Sequence, residues 1–166
     1  VLFASLATFF AAFFSGDTNL TLALAMRHSR ESLGSKRRST STVTPLFAIF
    51  SRAGSALVVA ISFIVIFRSY NALNISFSDV VWVAGFAAIS SFFLGALPTG
   101  STFLALTVLC ATYGRGFEAG YLLLKPVAFI LCSFAAALDS LTMIFGTYIV
   151  SQKMKTTERQ EIKYFI

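Results

Sequence analysis

The chain has 166 residues, 57% hydrophobic and 12% charged, with a mean hydropathy of +0.80, a balance that excludes a soluble domain of this size. Its net charge of +6 does not point to nucleic acid, because the basic residues form two blocks beside apolar segments instead of lining a polar surface. What remains is an integral membrane protein whose basic blocks mark cytoplasmic flanks.

Residues 1–14 are uncharged and begin without Met, so we expect the chain to start inside an apolar element of a longer protein. No basic segment precedes them, as a signal peptide would require. The polar tip Ser15-Gly16-Asp17-Thr18-Asn19 follows, and then a short apolar return, 20–26, leading to Arg27. Two short apolar arms around a polar, Gly-containing tip predict a re-entrant helical hairpin over 1–33 that opens to the cytoplasm. Residues 34–42, with Lys36, Arg37 and Arg38, read as a basic cytoplasmic loop.

A transmembrane helix is predicted over 43–68, broken at Ser51-Arg52-Ala53-Gly54. Arg52 lies ~13 Å into this block at helical rise. A charge at that depth costs about 2.5 kcal/mol or more unless it meets water, a counter-charge or an anionic ligand, which makes Arg52 the leading functional candidate. The alternative is a structural role, snorkelling or salt-bridged.

Residues 80–114 carry no charge and are interrupted by Gly95-Ala96-Leu97-Pro98-Thr99-Gly100. One crossing needs about 20 apolar residues and two crossings with a turn more than about 40, so the run fits neither. We predict a second re-entrant hairpin over 76–114, with Gly95, Pro98 and Gly100 giving the backbone breaks and freedom of a lid. The last transmembrane helix is expected over 121–152, followed by a cytoplasmic tail, 153–166, with Lys153, Lys155, Arg159 and Lys163. Parity supports this count. If the second hairpin leaves on the face it entered, two crossings return both basic blocks to one side.

Asp139 is the one acid inside the last helix, with Ser140 and Thr142 beside it. At that depth it is protonated, pairs with Arg52, coordinates a cation, or bonds a neighbouring helix as a neutral group. Trp82, Tyr113 and Tyr121 sit near block ends as interfacial anchors. Cys110 and Cys132 lie in apolar runs, where packing is the default, and His28 stands alone in a basic flank, which argues against a metal site.

The order hairpin, broken helix, hairpin, polar helix resembles the C-terminal core of the dicarboxylate/amino acid:cation symporter family, the glutamate-transporter fold. Residues 45–57, Pro-Leu-Phe-Ala-Ile-Phe-Ser-Arg-Ala-Gly-Ser-Ala-Leu, are similar to the family's Pro-Leu-Gly-Ala-Thr-Ile-Asn-Met-Asp-Gly-Thr-Ala-Leu. Residues 96–101, Ala-Leu-Pro-Thr-Gly-Ser, are similar to its Gly-Val-Pro-Gly-Gly-Gly tip. The family's serine-rich first tip falls on Gly16-Asp17-Thr18, and its Glu-Asn-Leu-Gly looks like Glu31-Ser32-Leu33-Gly34.

The departures narrow what the resemblance implies. Ser51 and Ala53 stand at the family's sodium-binding Asn and Asp positions, which depletes that cage. Aligned without gaps from Gly146-Thr147, the family's substrate-binding Asp, Arg and Thr fall on Cys132, Ala135 and Ala136, its Asn on Asp139 and its final sodium-binding Asp on Met143. A small shift brings Asp139 onto that final Asp instead. Loss of the family's acid and arginine argues against glutamate or aspartate as cargo, and Arg52 replaces the lost cation from a neighbouring helix.

The resemblance therefore implies an all-α, polytopic secondary transporter in a bacterial inner membrane, carrying a small organic anion such as a dicarboxylate or amino acid. Substrate contacts are expected from Asp17, Thr18, Arg52, Thr99, Gly100, Ser101 and Asp139. Ion coupling, to sodium or protons, is expected from Ser51, Asp139 and Thr142, and no other cofactor is expected. The implied partners are the bilayer, an N-terminal scaffold half and two further copies in a homotrimer, with no nucleic acid. An alternative is a ligand-binding or sensory module of the same fold that has lost ion coupling. No nucleophile–base pair, metal cluster or phosphate loop suggests an enzyme, and no charged or carbonyl-rich repeat suggests a channel.

Overall fold

The computed structural model describes residues 2–70, 76–93, 100–114, 116–155 and 157, with side chains from Ser5 onward. Its helices are α1 (Leu2–Ser15), α2 (Leu22–Glu31), α3 (Arg37–Phe50), α4 (Ala53–Tyr70), α5 (Phe77–Phe93), α6 (Ser101–Tyr113) and α7 (Ala128–Lys153). A 3-10 segment, Gly120–Val127, leads into α7. No β-strand occurs among the described residues; one antiparallel bridge joins Ser35 to Thr157. Two stretches are long and apolar enough to cross a membrane, Arg37–Tyr70 and Gly120–Lys153, whereas Ser5–Ser15, Phe77–Phe93 and Ser101–Tyr113 are apolar but shorter.

Local chemistry explains the boundaries. Gly16 ends α1 in a left-handed conformation (φ +65°), its N–H donating to Ala12 O at 2.9 Å, a closing bond that glycine makes without Cβ strain. Helix α3 begins at Arg37, so much of the stretch 34–42 is helix and not the loop expected from its polar residues. The hydroxyls of Ser41 and Thr42 donate to Arg38 O, and that of Thr40 to Lys36 O, which folds those polar groups back onto the helix. The last α3 bond runs from Ser51 N to Phe47 O, and the first of α4 ends on Arg52 O, so the helix is interrupted between Ser51 and Arg52.

Helix α7 is the axis of the molecule, with α1, α2, α3, α4 and α6 packed against it. At one end the Ser39 and Ser151 hydroxyls meet at 3.2 Å, which brings the basic blocks beside Arg37 and Lys153 to the same end. At the other end Tyr113 OH donates to Asp79 Oδ1 at 3.1 Å, so α6 finishes beside the start of α5. Tyr113, expected as an interfacial anchor, is the hub of an aromatic cluster with Phe63, Phe67, Trp82 and Phe117. That cluster continues into buried Val59, Ile66, Leu106 and Leu109, the apolar core between α4 and α6. Helices α5 and α6 each lie on α4, and between them an outward-facing apolar groove of about 230 Å³ is lined by Phe86, Ile89, Phe93, Leu104 and Val108. The expected hinge residues Gly95 and Pro98, and the site candidate Thr99, lie outside the described residues.

Candidate functional site

The break in the α3–α4 rod leaves the first amides of α4 without intrahelical partners, and the fold supplies them with an acid from α7. Asp139 Oδ1 accepts from Ser55 N at 2.9 Å, and Asp139 Oδ2 accepts from Ser55 Oγ at 2.5 Å. A carboxylate from a neighbouring helix thus caps the N-terminus of α4, where the partial positive charge of the helix end favours it. Gly54 makes the approach possible. A Cβ there would stand 2.6 Å from Asp139 N and 2.8 Å from the Leu138 carbonyl carbon, so any larger residue would push α4 off α7.

Arg52 closes the cluster. It is 4% exposed; Nε donates to Ala48 O at 3.2 Å, and one terminal nitrogen, NH1, lies 4.0 Å from Asp139 Oδ2. Its other terminal nitrogen, NH2, is buried without a hydrogen-bond partner among the described residues. Between 39 and 67 Arg52 is the single charge of the sequence, and between 126 and 152 Asp139 is the single charge; the fold brings these two together. Of the coupling candidates, Ser51 offers its carbonyl, which accepts from Thr142 Oγ1 at 3.2 Å, and the same hydroxyl donates to Asp139 O at 2.8 Å.

The hairpin candidates gather elsewhere on α7. Gly16 lies against Ser133, whose Oγ would be 3.7 Å from a Cβ on that glycine. Thr102 and Phe103, at the start of α6, line a small void of about 10 Å³ with Val59, Ser62, Leu131 and Cys132. The end of α1 and the start of α6 therefore both meet α7 around Cys132 and Ser133, the latter six residues or ~9 Å along the axis from Asp139. Thr18 is buried, and neither its Oγ1 nor that of Ser133 has a partner among the described residues. Asp17 is spent locally, its Oδ1 accepting from Asn19 N at 2.8 Å. Gly100 is exposed and left-handed (φ +70°) at the start of α6, and Ser101 beside it is buried.

The sequence reading counts Gly54 only as part of the helix break, not as a contact with α7, and gives no role to Ser55 or Ser133. The available signal for the first two was the Gly-Ser pair directly after the break, at positions where the resembled family keeps Gly and Thr. Ser133 had none, because a serine in an apolar helix is ordinary until its neighbours are known. No group of three His, Cys, Asp or Glu residues that could hold a metal ion occurs among the described residues.

The family model described as the sodium:dicarboxylate symporter family matches residues 1–153. Neither the curated proteins nor the solved structures compared with the chain match it. With that match spanning nearly every described residue, the chain belongs to the sodium:dicarboxylate symporter family.

Proposed function

We propose that the chain is the core of a secondary transporter that holds a small organic anion, such as a dicarboxylate or amino acid, between the two hairpin tips and the helix break. The observation that carries this reading is the Arg52 guanidinium: one end is held by Ala48 O and Asp139, and the other is buried with NH2 unpartnered. A buried cationic donor without a partner costs free energy that a carboxylate oxygen recovers, because charge-assisted bonds to guanidinium are among the strong ones. The unpartnered hydroxyls of Thr18 and Ser133 support a second contact region at the tips. Asp139 orients Arg52 and caps α4 in this reading, and does not itself touch the anion.

Helices α1–α2 and α5–α6 serve as re-entrant hairpins, the second acting as lid, with α3–α4 and α7 as the crossings. The shortness of the α5 and α6 apolar stretches and the pairing of Tyr113 with Asp79 support that arrangement. The scaffold half, the homotrimer and a bacterial inner membrane location follow from the family resemblance.

Thermal unfolding of the full-length protein with succinate and with its uncharged diamide tests the anion site. Succinate raises the unfolding midpoint and the diamide does not; Arg52→Ala abolishes the succinate shift while the protein still inserts into membranes. An Arg52→Ala protein with an undiminished succinate shift would refute the assignment. The internal bonding of Asp139, Ser51 and Thr142 favours a second reading, a binding or sensory module without ion coupling. Stabilisation by succinate without tracer accumulation in vesicles supports that module over the transporter.

A further inference from the structure

We propose that Arg52 is a built-in counter-cation for Asp139, so that the site at the helix break works without a bound sodium ion or a transported proton. The inference rests on the reading of the break as part of the anion site, and concerns what balances its charge. A carboxylate buried between helices is kept in place by a proton, a bound metal cation or a neighbouring cationic side chain. Here the third is present. Arg52 NH1 faces Asp139 Oδ2 at 4.0 Å, and both groups are almost wholly buried.

Both carboxylate oxygens of Asp139, the one acid nominated for a coupling ion, already accept from internal donors. Asp139 Oδ1 takes the Ser55 amide, and Oδ2 takes the Ser55 hydroxyl. The Ser51 carbonyl shares the single Thr142 hydroxyl proton with Asp139 O. At the resembled family's acidic position in this stretch stands Ala53, which offers no side-chain oxygen. A sodium ion seated on Asp139 would stand beside a guanidinium, paying like-charge repulsion in a poorly screened interior and displacing hydrogen bonds already made. A proton on Asp139 would likewise leave Arg52 as an uncompensated buried charge.

A tethered cation cannot dissociate, so the unloaded centre stays neutral and no ion gradient is spent at this position. The anion then moves down its own electrochemical gradient.

The test compares the full-length protein in sodium chloride and in choline chloride, by thermal unfolding and by succinate uptake in proteoliposomes with imposed sodium or proton gradients. The expected result is no midpoint shift between the two salts for the wild type, and uptake indifferent to both gradients. Arg52→Met is expected to acquire a sodium-dependent rise of several degrees, because loss of the guanidinium leaves the Asp139 charge for the ion to balance. Arg52→Lys is expected to stay sodium-independent.

A wild-type midpoint raised several degrees by sodium, or uptake driven by either gradient, overturns the proposal, and the wild-type comparison decides it even where Arg52→Met does not fold. Succinate inert in both salts, with sodium also inert, removes the anion assignment and leaves the counter-cation standing. Succinate bound only in sodium does the reverse.

Discussion

Helix α7 holds the two halves of the broken rod in different ways. Against α3 it sets neutral groups: Ser151 on Ser39, Thr147 on Thr44, and Gly146 under the ring of Phe47. Against α4 it sets a carboxylate on two donors of Ser55, beside the Arg52 guanidinium. The difference lies in what each group does if the helices part. Thr147 Oγ1 also donates to Met143 O in its own helix at 2.8 Å, so separation from α3 leaves it bonded. Asp139 has no such fallback for its carboxylate, since helix carbonyls accept hydrogen bonds and do not donate them. The α3 contact is one that can slide cheaply, whereas the α4 contact is a fixed point.

The comparison breaks most sharply at the fixed point. Asp139→Leu removes the acceptor of Ser55 and leaves Arg52 buried without a counter-charge, a loss of about 3–5 kcal/mol. Unfolding in detergent should show it, and the double variant Asp139→Leu with Arg52→Met should recover part of the loss. Independent, additive effects of the two changes would mean that the pair is not coupled.

A smaller loss, about 1–3 kcal/mol, is expected for Gly54→Ala, because the added methyl meets the backbone of Leu138 and Asp139 and overpacking of that kind strains the interface. Gly54→Ala should also weaken the succinate-dependent shift, since Ser55 can no longer reach Asp139; an unchanged shift would separate the close approach from the site. The least effect is expected on the sliding side. Thr147→Val should cost only about 0.6 kcal/mol, the average of a hydrogen bond between membrane helices. A loss as large as that of Asp139→Leu would erase the distinction between the two halves.

Charge spacing alone made much of the architecture legible. Long apolar runs, two with Gly-containing tips and one with the polar stretch Ser51-Arg52-Ala53-Gly54, announced apolar helices, and the depth of Arg52 singled it out as a charge in need of a partner. The start of α3 was not legible in the same way. Arg38-Ser39-Thr40-Ser41-Thr42 looks loop-like, and is helical because those hydroxyls turn back to the chain's own carbonyls or, at Ser39, across to Ser151.

The sequence by itself determined that this is a helical membrane protein with one deep arginine and one deep aspartate, because the cost of burying charge is a property of the residue and its depth. Only the tertiary structure decided that the two face each other and that Ser55 caps the same carboxylate across a glycine contact. Those partners are far apart along the chain, Asp139 from Ser55 by 84 positions, and their meeting depends on α7 lying against the first turn of α4. Helix packing sets that relation, and no local pattern of residues records it.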